Sequence, residues 1–280
     1  MIEKFLSFHG EYSPNTADRY GRALRLLISD YPDLARLDPG QLHGWLNSHG
    51  WGNSAQYVAL CAVKAFLRWG FGLTHPALVL RFRRLDAGPQ RSLKLNQVKM
   101  LLGSFSTMSE RGVRDLALAS LLLDSGLRAS EVCSLEIKHL DLEECRLDVV
   151  VKGRRWGEGV YSSFTAVYLG NWLAIRERLA AAGIRTVFVS VGGKTPGKPL
   201  TRRGLGVVVS GWGLTAGVSP LSPHDLRRTF AMISTRLGAP ARVLQVAGRW
   251  SSLEMVERYT RSIEADDFRS YFPLTAVMGD

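Results

Sequence analysis

The chain has 280 residues, 46% of them hydrophobic, with a formal net charge of +11 and an isoelectric point near 9.9. That length can bury the core of one large or two modest domains, and the excess of Lys and Arg calls for a polyanionic partner, nucleic acid first. Cys61, Cys133 and Cys145 form no C-x-x-C pair, so neither a disulfide framework nor a zinc knuckle is indicated; reduced thiols suit a protein of the cytoplasm. Met1-Ile2-Glu3-Lys4-Phe5 lacks the pattern of a secretory signal, and the apolar run 116–123, closed off by Asp115 and Asp124, is too short to cross a bilayer.

In chain order, the first part reads as short helices. Ser13-Pro14 gives a helix start ahead of the apolar stripe Tyr20, Leu24, Leu27 and Ile28, and Asp38-Pro39 repeats the signal ahead of Leu42, Trp45 and Leu46. A third helix begins after Asn53-Ser54, carries Val58, Cys61, Ala62, Ala65, Phe66 and Trp69, and ends near Gly70 to Gly72. Lys64 and Arg68 fall four apart on it, where they could meet phosphates or simply face solvent.

The stretch 81–91 mixes cations, Arg83 and Arg84 among them, with Gly-Pro and has little periodicity. It reads as an inter-domain linker able to lie along a nucleic-acid backbone. The expected division is a helical domain over 1–85, a linker over 86–94 and a second domain over 95–280. Asn96 is the expected cap of a helix with Val98, Leu101 and Leu102. Further helices are expected at about 111–123, ending at Ser125-Gly126, and at 130–135. The β-branched run 146–151 predicts a strand, 152–159 a turn holding Lys152, Arg154 and Arg155, and 160–162 the start of a return strand. Apart from an extended 187–189, the remainder reads as helical, with no internal repeat.

Towards the C-terminus stands Ser222-Pro223-His224-Asp225-Leu226-Arg227-Arg228-Thr229-Phe230, then Gly248-Arg249-Trp250, then Tyr259-Thr260. A phosphodiester resists cleavage because its anionic oxygens repel nucleophiles and its alkoxide leaves poorly. A protein that cleaves one without metal needs fixed cations on the non-bridging oxygens, a proton donor for the leaving oxygen and a nucleophile. Arginine suits the first role, since its planar fork holds two oxygens and stays charged. Arg128 and Arg227 fall beside or within helices, and His224 lies three residues before Arg227, on the same side of a helix. Singly, each has a duller reading: Arg128 as a helix cap, Lys152 as a turn residue, Tyr259 as core. Their order is what points to chemistry.

Here the residues carry a resemblance. Ser125-Gly126-Leu127-Arg128-Ala129-Ser130-Glu131-Val132 resembles the first box of the tyrosine recombinase, or phage integrase, family, roughly T-G-L-R-x-S-E-L. His224-Asp225-Leu226-Arg227-Arg228-Thr229-Phe230-Ala231 resembles its H-x-L-R-H-T-F-A box. Gly248-Arg249-Trp250-Ser251-Ser252 with Tyr259-Thr260 resembles the closing L-G-H-S-S…Y-T, and Val151-Lys152-Gly153 the hairpin lysine segment. The likeness spans about 92–261.

The resemblance implies a mainly α fold with a small β-hairpin or sheet: a helical, SAM-like core-binding DNA-binding domain followed by a mixed α+β catalytic domain. It implies that Arg128 and Arg227 hold the scissile phosphate, Lys152 protonates the leaving 5′ oxygen and His224 assists proton transfer. Glu131 would orient neighbouring groups. Trp250, standing where most members have histidine, could donate one hydrogen bond but not exchange a proton. Tyr259 would attack to form a 3′-phosphotyrosyl link that a 5′-hydroxyl religates without ATP. No cofactor is implied.

The implied partner is double-stranded DNA with paired half-sites, bound on synapsed duplexes by a homotetramer or by a tetramer that includes a related recombinase. The task would be integration, excision, inversion or resolution of a DNA element, mobile elements included. Lys64, Arg68, Arg83, Arg84, Arg154 and Arg155 are the expected backbone contacts. Arg228 departs from the second box, Lys138 is a second choice for the hairpin lysine, and Tyr271 a rival nucleophile. A type IB topoisomerase-like enzyme and a DNA-binding accessory protein without catalysis remain alternatives. Two decoys are set aside. Gly193-Lys194-Thr195 has Phe188 where a phosphate-binding loop needs glycine, and His43 and His49 stand in no cluster of metal-ligand type.

Overall fold

The structure, a computed structural model, describes residues 1–8, 14–83, 85, 91–151 and 155–260, without the side chains of 14, 15 and 258–260. The chain divides into two compact units, Met1–Gly88 and Pro89–Asp280.

In the first unit four α-helices are described: α1 (Ile2–Phe8), α2 (Pro14–Asp30), α3 (Pro39–Ser48) and α4 (Asn53–Phe71). α1 was not expected from the sequence, because seven residues are too few to show a period; its one buried side chain, Phe5, meets Phe66 edge-on at 5.3 Å. α3 starts as its sequence suggests: Asp38 accepts from the Gln41 N–H at 2.8 Å and Gln41 returns its side-chain oxygen to the Asp38 N–H at 3.0 Å. Leu24, Leu27, Leu42, Leu46 and Phe66 are fully buried in the core. Of the stretch read as linker, the described residues 81–83 and 85 include contacts with this unit. Phe82 lies against the core, and Asn53 grips the backbone by accepting from Leu85 N and donating to Arg83 O.

The second unit joins eight described helices to a three-stranded antiparallel sheet of order β1-β2-β3. The strands are β1 (Leu140–Asp141), β2 (Arg146–Val151) and β3 (Arg155–Val160). Leu93, expected in the linker, is 2% exposed in this unit's core, and its N–H donates to Thr229 Oγ1 at 2.8 Å. The helices are α5 (Leu95–Gly103), α6 (Glu110–Ser125), α7 (Ala129–Ser134), α8 (Ser163–Leu179), α9 (Arg202–Thr215), α10 (Pro223–Arg236), α11 (Ala241–Ala247) and α12 (Leu253–Thr260). α5 starts two residues earlier than Asn96 would allow as its cap. Lys94 holds that position and its N–H donates to Gln97 Oε1 at 2.9 Å. Between β1 and β2, Asp141 Oδ1 accepts from the N–H groups of Glu143 and Glu144, a local turn that makes a short strand of β1.

The return strand also begins earlier than expected, at Arg155. Gly157 and Gly159 pair with Val149 and Leu147 instead of forming a turn. The overall class, mainly helical with a small antiparallel sheet, is the one the sequence implied. Among the described residues no helix is long and apolar enough to cross a membrane.

Candidate active site

Two helix ends build the site. The last carbonyls of an α-helix have no partner within the helix and carry the negative end of its dipole, so they seek donors and cations. α6 ends at Gly126, whose φ of +57° lies in the left-handed region and whose added Cβ would fall 2.3 Å from Phe230 Cδ1; only glycine fits. α11 ends in a turn in which Gly248 N, Arg249 N and Trp250 N donate to Leu244 O, Val246 O and Gln245 O.

The carbonyls left over at these two ends are taken by arginines. Arg227 donates from Nη1 to Gly126 O and from Nη2 to Gly248 O, the latter at 2.5 Å. Arg128 donates from Nη2 to Arg249 O at 3.1 Å. Arg249 donates from Nη2 to Ser125 O at 2.9 Å and from Nη1 to Ala247 O at 2.8 Å.

Glu131 sits among these cations. Arg128 precedes α7, and Glu131, in that helix's first turn, reaches back to accept from Arg128 N at 2.9 Å and from Arg128 Nη1 at 2.6 Å. Its other ionic neighbour is Arg249 Nε at 3.5 Å. Burial pushes the Glu131 carboxyl up, but the Arg128 backbone and side-chain hydrogen bonds and the charges of Arg249 and Arg128 outweigh it. The net effect holds the acid below its ordinary range. Arg249 itself is pulled down by burial and by Arg128, with Glu131 opposing. Of the three guanidinium groups that bridge the helix ends, Arg128 is the most open to solvent, with 31% of its side chain exposed against 6% for Arg249, while Arg227 as a residue is 2% exposed.

α10 starts with Ser222 and Asp225 capping each other and Pro223 in the first turn, which leaves His224 at the surface and Arg227 buried. His224 keeps an exposed edge. Packing around the ring, then the charges of Arg228 and Arg227, lower its pKa against the pull of Asp225. Arg228 pairs with Asp225 at 3.1 Å.

Trp250 is 5% exposed. It stacks on Phe230 at 6.2 Å and lies 4.6 Å under the Arg227 guanidinium carbon, a cation–π contact. The indole thus seats Arg227 from below. α12 packs on α10 and α11; its Val256, 2% exposed, joins the small core with Phe230 and Trp250, and its backbone carries Tyr259.

The structure therefore brings Arg128, Glu131, His224, Arg227 and Trp250 into one neighbourhood. Lys152, Arg84, Arg154 and Tyr271, and the side chain of Tyr259, lie outside the described residues. Lys138 is exposed and paired with Glu136 at 3.1 Å. In the first unit Lys64 and Arg68 share α4, and burial, then Arg68 and Arg81, lower the Lys64 pKa. Arg83 and Arg155 are exposed.

The sequence reading passed over Arg249. Its φ of +53° stands where the closing box has glycine, a backbone state that costs a residue with a Cβ about 1–3 kcal/mol. Charge-assisted hydrogen bonds, worth about 1.5–3 kcal/mol each, offset it. An arginine in a glycine's place was the signal available.

Residues 91–265 match the family model described as the phage integrase family. The chain belongs to the phage integrase family and is a site-specific DNA recombinase of its tyrosine type. It is 27% identical over 270 residues to tyrosine recombinase XerC of Yersinia pestis, covering 92% of this chain and 87% of that protein. With tyrosine recombinase XerD of Listeria monocytogenes it shares 28% over 279 residues, covering 93% of each. Among solved structures, the Tn1549 transposon integrase in complex with circular intermediate DNA aligns with a TM-score of 0.78 at 18% identity, over 96% of this chain and 97% of that one. XerH bound to palindromic difH substrate aligns at 0.74 and 18%, over 96% and 83%. At such identities the structural likeness speaks for the fold. The family and its named relatives favour recombination over the topoisomerase-like and accessory alternatives.

Proposed function

We propose that Tyr259 is the nucleophile of this recombinase and that Arg128 and Arg227 hold the scissile phosphate between the ends of α6 and α11. The observation that carries the reading is the bridging of those ends by guanidinium groups, with α12, the helix of Tyr259, packed on α10 and α11. The phenolic oxygen attacks phosphorus as the P–O5′ bond breaks. His224, its proton affinity lowered by its surroundings, takes the phenol proton, and Lys152 protonates the leaving 5′ oxygen. Glu131 fixes Arg128, and Trp250 seats Arg227. The 3′-phosphotyrosyl bond keeps the energy of the phosphodiester, so an incoming 5′-hydroxyl reverses the chemistry on a new partner strand.

The substrate is double-stranded DNA with paired half-sites, joined by a homotetramer in the integration, excision or resolution of DNA elements. Lys64, Arg68, Arg83, Arg84, Arg154 and Arg155 contact the backbone. The test is a nicked suicide substrate carrying the chain's own target site. A covalent complex is expected with the wild type and with Tyr271→Phe, and none with Tyr259→Phe. A complex that survives Tyr259→Phe removes the assignment, and binding without any trapping by the wild type removes the catalytic reading.

A further inference from the structure

Arg249 shares the bridging of the helix ends with Arg128 and Arg227, but its contacts extend further, onto strand β3. Its donors are turned away from solvent onto Ala247 O, Ser125 O and, at 3.3 Å, Glu158 O of β3. Its stem runs across the same strand at Gly157 and Gly159. A Cβ on Gly157 would stand 2.9 Å from Val151 Cγ1 and 3.1 Å from Arg249 Cδ, and one on Gly159 would stand 2.8 Å from Leu147 Cδ1 and 3.1 Å from Arg249 Nη1. One side chain therefore touches the hairpin strand, the ends of α6 and α11, and Glu131, the carboxylate that holds Arg128. Apolar packing could fill this space without tying a strand to a carboxylate; a forked cation does both.

We propose that Arg249 is a positioning residue of strand cleavage, which locks β3 against the Arg128–Glu131 pair and so holds the β2–β3 hairpin in register with the phosphate site. It acts through the hairpin and does not itself touch the phosphate. The proposal rests on the reading above, in which the hairpin supplies the leaving-group acid. Its consequence is chemical. Loss of Arg249 should impair protonation of the leaving 5′ oxygen more than attack by the phenol.

The experiment uses the full chain and single-turnover cleavage of saturating suicide substrate, in two forms that differ in one atom. One has the ordinary bridging 5′ oxygen; the other has a bridging 5′ sulfur, which leaves as a thiolate and needs no proton. In both, the phenol oxygen–phosphorus bond forms and the bridging bond breaks; only the first requires a general acid. Arg249→Gly, which relieves the left-handed backbone, and Arg249→Lys, which keeps a cation on a stem, are compared with the wild type and Lys152→Ala. Misplacement of a reacting group by about an ångström costs on the order of a hundredfold in rate. Arg249→Gly should therefore lose about 10- to 100-fold on the oxygen substrate, regain most of it on the sulfur substrate, and Arg249→Lys should fall between.

Unfolded protein lowers both rates alike, so the ratio of the two survives a loss of fold. An unchanged oxygen rate, or equal losses on both substrates, overturns the proposal. If Lys152→Ala is rescued by sulfur and Arg249→Gly is not, the role of Lys152 stands and that of Arg249 falls. If Arg249→Gly alone is rescued, the hairpin is confirmed as the acid's support and another residue is the acid. If neither is rescued, both fall.

Discussion

At the level of single residues, His224 shows how charge around a ring sets its use. A base for the phenol proton must be neutral at the working pH. Here partial burial, then Arg228 and Arg227, and more weakly Arg128, disfavour the imidazolium against Asp225. The folded pKa lies below the ordinary value, so the neutral ring contributes stability above about pH 6.5 that is lost as pH falls through the folded pKa. Arg228 acts twice, by its own charge and by occupying Asp225 at 3.1 Å. Arg228→Gln removes a repelling cation and releases an attracting carboxylate, so the His224 pKa should rise. An NMR titration of the ring, assigned with His224→Gln, measures this, and the acid limb of the cleavage rate should move to higher pH in step. A pKa that stays or falls would show that Arg228 does not govern the ring.

Among elements, the ends of α6 and α11 are joined through charge, and Glu131 is the anion that makes so many neighbouring arginines tolerable. With 2% of its side chain exposed and its pKa depressed by its partners against the cost of burial, it contributes stability above about pH 4.3 that is lost as pH falls through its folded value. Glu131→Gln keeps the shape and loses the charge, at a cost of about 1.5–3 kcal/mol at pH 7. Urea unfolding at pH 7 and pH 4 should show the wild type losing more stability than the variant on acidification; parallel losses would place the acid sensitivity elsewhere.

The same elements show what the sequence could and could not say. Asp38-Pro39, Ser222-Pro223 and Ser125-Gly126 act on the backbone within a turn of themselves, so those helix ends were legible. Arg128, Glu131, His224, Arg227 and Trp250 were legible because each lies in a short contiguous box. Gly157 and Gly159 read as a turn because what crowds them, Val151 and Leu147 of the paired strand and Arg249 from some ninety residues further on, is brought there by the fold. α1, too short for a period, and Lys94, a cap without the usual chemistry, were closed to local rules for related reasons.

Across the whole molecule, the net charge of +11 has to serve two purposes, holding DNA and stabilising a transition state, and the two can be separated by salt. Each phosphate neutralised by a Lys or Arg releases counterions, so log K falls with log salt by about 0.9 per contact. On α4, burial and then the like charges of Arg68 and Arg81 lower the pKa of Lys64. Cations crowded in this way without a carboxylate among the shifting groups gain from an arriving phosphate. If Lys64 and Arg68 each meet one, Lys64→Ala with Arg68→Ala should flatten the salt slope by about 1.8. The fraction of bound complexes trapped covalently at saturating DNA should stay at the wild-type level. Tyr259→Phe should do the reverse, keeping the slope and trapping nothing. A double variant that keeps the full slope would move the backbone contacts off α4, and one that binds normally but traps less would show that α4 acts on the chemistry as well as on the grip.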